Sequence, residues 1–263
     1  PSTAPGALTP ERPWPGLASF TEDDREYFRG REREAEDLAR LVRRETLTVL
    51  FGRSGLGKTS LLGAGLFPRL RDEQFLPVYL RLAHRGAHPP LRQQVMQALQ
   101  AACDRAGAEM PPVHLQDTLW EHFHRTGATI WSARNRPLTP VLVLDQFEEA
   151  FTVGQADDAT RHEALAFIAE LGDLIENRVP ESVKQRLDAD PAQATEFEFR
   201  RADCKVVLSF REDFLAEMEG QRHRIPSLMR NRYRLLPMNG AQARLVIGAG
   251  GPLVAPDVAE RII

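Results

Sequence analysis

The segment G-R-S-G-L-G-K-T, Gly52–Thr59, has the spacing G-x-x-x-x-G-K-[ST]. That pattern holds phosphate groups. Its glycines allow a tight turn in which the backbone N–H groups of Gly52, Arg53, Ser54, Gly55, Leu56 and Gly57 can point at phosphate oxygens. A helix starting near Lys58, with Ser60 in its first turn, adds the positive end of its dipole. Lys58 serves the β- and γ-phosphates as a flexible point charge, and the Thr59 hydroxyl suits Mg²⁺. Of the 34 Lys+Arg residues only Lys58, Lys184 and Lys205 are lysines. A chain that otherwise uses arginine keeps a lysine here because a planar guanidinium does not copy that role.

A second pattern is V-L-V-L-D-Q-F-E-E, Val141–Glu149. An apolar strand that ends in a carboxylate, Asp145, can hold Mg²⁺ through water. Glu148 and Glu149 follow as candidate bases for the attacking water. A loop beyond the strand favours Glu148; alternation along a continuing strand favours Glu149, and both stay open. Arg211 closes V-V-L-S-F-R, where it can sense a γ-phosphate; a plain surface arginine is the alternative. His122 and His124 are two apart, so a helix would turn them to different sides, which argues against a metal pair.

These groups need a frame. Short apolar runs at Thr46–Phe51, Phe75–Leu82, Val141–Leu144 and Lys205–Asp213 read as strands, with a weaker fifth at Asn231–Met238. Between them lie helical patterns: one from about Glu32 with Leu38, Leu41 and Val42 on one stripe, one from Thr59 that stops near Pro68, and others at His88–Cys103, Pro112–Gly127 and Arg161–Val179. The stretch Glu181–Asp203 is polar and has no clear period. Strands that alternate with helices, and that are apolar throughout, predict an α/β fold: a parallel sheet buried between two helical layers.

The chain has 263 residues, 42% hydrophobic and 27% charged, which suits a soluble globular protein with a sizeable core. A net charge of −3 gives no field for nucleic acid or an anionic membrane. No apolar run has the length of a membrane span. Cys103 and Cys204 lie far apart, which fits two buried thiols in a reducing cytoplasm. The proline-rich residues 1–16 read as a linker, and the end at Ile263 falls inside a helical pattern. Both readings suggest part of a longer chain.

A GTPase would need an [NT]-K-x-D element. Lys184 lies in V-K-Q-R and Lys205 in C-K-V-V, so neither supplies it. No L-S-G-G-Q-like signature of transporter ATPases is present. The ordered set Y-F-R-G-R-E-R-E-A-E-D-L-A-R-L-V, L-F-G-R-S-G-L-G-K-T-S-L-L, V-L-V-L-D-Q-F-E-E-A-F, V-V-L-S-F-R-E-D-F and Y-R-L-L-P-M-N-G resembles the STAND NTPases. These are signal-transduction ATPases related to AAA+ proteins, and the likeness is to the bacterial nSTAND1 type.

The resemblance implies a three-layer P-loop fold of the ASCE type, with the strands of Asp145 and Arg211 between the P-loop strand and the outer strands. It implies a P-loop NTPase domain over 17–238 and the beginning of a helical lid over 239–263, truncated here. It places Phe28, Gly30 and Arg31 in an adenine pocket and Pro252 near the base, with ATP or ADP and Mg²⁺ as cofactors. It gives Lys58, Glu148, Glu149 and Arg211 catalytic roles, and Thr59 and Asp145 the metal. Gln146 stands where many AAA+ proteins hold the catalytic glutamate, which implies slow hydrolysis. The implied role is a cytoplasmic bacterial switch, closed with ADP and open with ATP. It would self-associate on ATP binding and control effector and sensor domains of the same longer chain, for instance in defence. A fast, motor-like AAA+ ATPase and a nucleotide-binding scaffold without hydrolysis are the alternatives.

Overall fold

The computed structural model describes residues 8–83, 88–114, 116–152, 158–249 and 253–254. Its helices in chain order are α1 (Glu32–Arg44), α2 (Lys58–Ser60), α3 (Phe67–Asp72), α4 (Leu91–Ala106), α5 (Leu119–His124), α6 (Glu149–Thr152), α7 (Asp158–Ile175), α8 (Glu181–Ala189), α9 (Leu215–Gly220) and α10 (Gly240–Gly248). The strands are β1 (Leu47–Gly52), β2 (Phe75–Leu80), β3 (Ile130–Trp131), β4 (Pro137–Leu144), β5 (Lys205–Arg211) and β6 (Arg232–Arg234). The described residues form two units, one from those within 1–40, 52–73 and 234–263, the other from those within 41–51 and 74–233.

The second unit carries the sheet, in the order β2-β4-β5-β1-β6. β4 pairs in parallel with β2 on one side and β5 on the other, with Leu144 opposite both Leu80 and Leu208. β4 and β5 therefore lie between β1 and the outer β2, the ASCE-type order. β3 is the antiparallel exception and pairs with the start of β4. The central strands are mostly apolar because both faces are covered: Val49, Leu142, Val143, Val207 and Leu208 are fully buried, and Thr48 and Ser209 are buried with them. Phe51 stacks on Phe210 at 6.0 Å between ring centres, joining β1 and β5 near their carboxyl ends. The Lys205 ammonium donates to the carbonyl oxygens of Arg43 and Glu45, both at 3.1 Å, so this lysine fastens the end of α1.

A smaller cluster of Trp120, Val183 and Phe197 lies beside the main core. The Trp120 indole donates to Asn177 Oδ1 at 3.1 Å, so its polar atom is satisfied on burial. In the first unit, α1 turns Ala35, Leu38 and Ala39 inward, and the helical run after the glycine loop buries Leu61, Leu62, Leu66 and Leu70.

Several elements differ from the sequence expectations. The helix after the glycine loop does not stop at Pro68. It passes through a π-helical turn, Leu61–Leu66, and continues as α3 with Pro68 in its first turn. Proline lacks an N–H, and at the start of a new α-helical segment none is required of it. β4 begins at Pro137, earlier than the apolar run. Pro140 is tolerated there because β5 pairs only from Val141 onward. The expected helix over Pro112–Gly127 shrinks to α5, which starts where Thr118 accepts from the Glu121 N–H at 3.2 Å. Glu121 in turn accepts from the Thr118 N–H at 2.9 Å, a reciprocal cap that fixes the start. The fifth strand covers only Arg232–Arg234.

Candidate functional site

Within the first unit, Gly52–Thr59 leaves the carboxyl end of β1 and enters α2. Gly55 and Gly57 have φ of 78° and 84°, and Gly57 is the cap of α2. A side chain at Gly57 would strain that left-handed turn. Arg53, Ser54 and Gly55 are exposed and Leu56 is half-buried, so the loop backbone is accessible. Lys58 folds back over the loop and donates to Gly52 O at 2.9 Å and Arg53 O at 3.0 Å. The ammonium is thereby held above the turn that the motif builds for phosphate. Thr59 is half-buried beside it. Ser60 Oγ accepts from the Phe20 N–H at 3.1 Å.

The base-lining candidates also belong to the first unit. Phe28 meets Phe20 edge-on at 5.6 Å. Arg31 is buried, and its guanidinium donates to Glu34 Oε1 at 2.7 Å and to Leu236 O at 2.8 Å. Gln242, in the first turn of α10, donates to the same Glu34 oxygen at 2.6 Å. Burial pushes the Glu34 carboxyl up, but the Arg31 and Gln242 hydrogen bonds outweigh it and hold the group below its ordinary range. Gly30 has φ of 80°, and a Cβ there would lie 2.7 Å from Gln242 O. The Trp14 indole donates to Val246 O at 3.3 Å. Pro252 lies outside the described residues.

In the second unit, Asp145 directly follows β4 and is 2% exposed. The strand stops at Leu144, and Gln146 takes a left-handed conformation with φ of 56°. Asp145 Oδ1 accepts from the Gln146 N–H at 3.0 Å. The Phe147 N–H donates to Ser209 O at 2.9 Å, which ties this turn to β5. Glu148 is buried in the turn, whereas Glu149 is exposed at the start of α6. Because the strand does not continue past Leu144, strand alternation gives Glu149 no support. Arg211, at the end of β5, is exposed; it pairs with Asp213 and lies over the Phe214 ring at 5.7 Å. His122 and His124 are both buried, and no group of three metal-binding side chains occurs among the described residues.

Two residues around Asp145 escaped the sequence reading. The Tyr79 hydroxyl donates to Asp145 Oδ2 at 3.1 Å, and Arg81 Nε lies 3.9 Å from the same oxygen. Burial and the neighbouring Asp145 carboxylate push the Tyr79 phenol up to about 12, so it stays a donor. Tyr79 lies in β2, the strand beside β4, and Arg81 directly follows its last residue. A tyrosine and an arginine two apart at a strand's end carry no motif, so only the pairing of β2 with β4 reveals them. No helix among the described residues is long and apolar enough to cross a membrane.

The family model of novel STAND NTPase 1 matches residues 13–257. No curated protein matches the chain. Among solved structures it is similar to the Walker-type ATPase PABY2304 of Pyrococcus abyssi, at 16% identity and a TM-score of 0.51, over 94% of this chain and 65% of that one. It is also similar to Cdc6p from Pyrobaculum aerophilum, at 16% identity and a TM-score of 0.44, over 84% of this chain and 48% of that one. A third likeness is to the HORMA–CdnC–Trip13 complex of E. coli MS115-1, at 15% identity and a TM-score of 0.44, over 94% and 77%. The chain thus spans less than two thirds of the first two structures it matches, and at these identities the likeness is one of fold.

Proposed function

Because the chain belongs to the novel STAND NTPase 1 family, we propose that it is the ATP-binding, slowly hydrolysing switch module of a larger signal-transduction protein. The observation that carries this reading is the glycine loop: an accessible turn, a helix start behind it, and the Lys58 ammonium held over it by Gly52 O and Arg53 O. That is a donor set for phosphates. Thr59 and Asp145 each offer oxygen, the donor type that suits Mg²⁺.

Mg²⁺–ATP, when bound, supplies the polarised γ-phosphate and the anhydride bond to be cleaved. The chain's own residues do the rest. Lys58 places positive charge at the β- and γ-phosphates. Glu148, or Glu149, takes the proton from the attacking water. Arg211 reads the γ-phosphate, leaving its pair with Asp213 to do so. Backbone near Gly30 faces the adenine. Gln146 follows Asp145 directly and takes no proton, which favours slow turnover. A slow cycle suits a switch: ADP holds the intact protein closed, and ATP lets copies associate and release an effector elsewhere in the same chain. The setting proposed is the bacterial cytoplasm, with defence as one use.

Calorimetric titration with ATP, ADP and GTP in Mg²⁺, followed by single-turnover hydrolysis, tests this reading. Preference for adenine nucleotides and a cycle of minutes support it. Many cycles per second point to a motor-like AAA+ ATPase. Binding without any cleavage points to a scaffold, and equal affinity for GTP overturns the adenine reading.

A further inference from the structure

The carboxylate of Asp145 is almost out of water, with its side chain 1% exposed. A buried carboxylate needs a compensating charge or donors. The two oxygens are compensated differently. Oδ1 takes a backbone N–H from Gln146 at 3.0 Å. Oδ2 faces one side chain of β2 and one just past its end: the Tyr79 hydroxyl at 3.1 Å and Arg81 Nε at 3.9 Å.

The parallel register brings them there. Leu80 pairs with Leu144, and the Asp145 N–H donates to Leu80 O at 3.0 Å. Tyr79 and Arg81 flank Leu80 and share a strand face. The two contacts are not equivalent. Tyr79 donates through a stiff side chain with few torsions, whose ring is partly buried. The Arg81 contact is longer than a hydrogen bond, and its side chain is 47% exposed. Arg81 also hydrogen-bonds the Tyr79 side chain, and a long side chain half in water gives up such exposed contacts at little cost.

We propose that Arg81 is a built-in counter-cation for Asp145 that competes with Mg²⁺, and that Tyr79 is the positioning residue that keeps the carboxylate aimed while the cation is exchanged. The inference rests on the reading of Asp145 as the metal-facing carboxylate. Its consequence is ordered loading. Free Mg²⁺ meets a carboxylate already neutralised by the guanidinium, whereas Mg²⁺ arriving with a nucleotide gains phosphate oxygens as further ligands and displaces it. The device keeps the metal site weak toward the metal alone and strong toward the metal–nucleotide pair.

The test compares wild type with Arg81→Met, Arg81→Lys and Tyr79→Phe. Nucleotide-free protein is titrated with Mn²⁺, read by electron paramagnetic resonance, and ADP affinity is measured across a Mg²⁺ series and in EDTA. Arg81→Met is expected to bind Mn²⁺ about tenfold more tightly than wild type and to need about tenfold less Mg²⁺ for half-maximal ADP binding. In EDTA it is expected to bind ADP more weakly, because the carboxylate charge, no longer balanced by the guanidinium, repels phosphate. Arg81→Lys keeps the charge and stays near wild type. Tyr79→Phe raises the Mg²⁺ midpoint, whereas a merely structural tyrosine changes thermal stability and leaves that midpoint alone. Equal Mn²⁺ affinities and Mg²⁺ midpoints in wild type and a folded Arg81→Met overturn the inference. A wild type that binds no nucleotide at any Mg²⁺ concentration removes the functional reading itself, a failure seen in wild type alone.

Discussion

The Lys58 ammonium donates to the carbonyl oxygen of Gly52, at 2.9 Å, across the mouth of the loop they share. The loop's own carbonyl thus orients the charge that a phosphate would meet. Replacing Lys58 by alanine removes the charge without opening a core, since the side chain lies over an exposed turn. The expected result is a loss of nucleotide affinity of about 100-fold, the scale of one or two charged hydrogen bonds. The melting temperature is expected to stay within about 2 °C. A fluorescent-nucleotide titration beside thermal unfolding checks both. Lys58→Arg is expected to recover little, because the wider fork does not fit the two carbonyls that orient the ammonium.

Gly30 tests the other end of the first unit. Its φ of 80° and the approach of Gln242 O to 2.7 Å of a built Cβ leave no room for a side chain. Backbone opposes backbone here, so the clash is not relieved by a rotamer change. Gly30→Ala is expected to destabilise by about 2–3 kcal/mol, from strain and overpacking together. The loss is expected to concentrate on α10, seen as faster amide exchange over Gly240–Gly248 than over β4. Uniform loosening across both segments, or none, contradicts that account.

A pH effect follows from His122, which is 4% exposed. Burial pushes its imidazole down to about 4, with His114 and Arg125 adding to the shift and the Asp117 carboxylate opposing it. The folded value lies below the unfolded one of about 6.5. The unfolded chain therefore binds the extra proton first. The stability is fully present above about pH 6.5 and is lost as pH falls toward 4, by up to about 1.4 kcal/mol per unit. Burial pushes His124 the same way. Chemical denaturation at pH 7.5, 6 and 5 is expected to show a shallower fall for His122→Gln than for wild type. Parallel curves dismiss the effect.

The sequence made the chemistry legible where one residue type answers one demand. The glycine loop, Lys58 and the apolar run into Asp145 stand out as a pattern in the sequence, whereas the order of the main strands in the sheet came from the family resemblance. What escaped is what pairing and packing decide. α8 buries only Val183 and reaches Trp120 together with Phe197, a contact without sequence period. The two-residue β3 has no propensity signal of its own and exists because Pro137 and Leu138 pair with it. Pro68 argued for a helix end because a π-helical turn ahead of it is invisible in periodicity. Tyr79 and Arg81 became partners of Asp145 only through strand neighbours 66 and 64 residues apart in sequence.

The sharpest prediction separates the acids after β4. Asp145 is held at the end of the strand by the Gln146 N–H and Tyr79. Removing its charge with Asp145→Asn is expected to weaken Mg²⁺–nucleotide binding about tenfold, while binding in EDTA does not weaken, because the carboxylate charge is gone and the Arg81 guanidinium remains. Glu148 lies three residues on, buried in the turn, whereas Glu149 is exposed at the start of α6. A base must be fixed near its water, and a buried carboxylate is fixed better than an exposed one. Glu148→Gln is therefore expected to bind ATP as wild type does and to cleave it about 100-fold more slowly, and Glu149→Gln to lose less than about threefold. Quench-flow hydrolysis at saturating ATP reads both. The reverse ranking assigns the base to Glu149. If both variants cleave at the wild-type rate, the proton goes elsewhere and the catalytic assignment falls. The cleavage-blocked variant of the full-length protein then tests the switch. With ATP bound it is expected to sediment as a larger species than the ADP form, and a protein that stays monomeric in both forms defeats that reading.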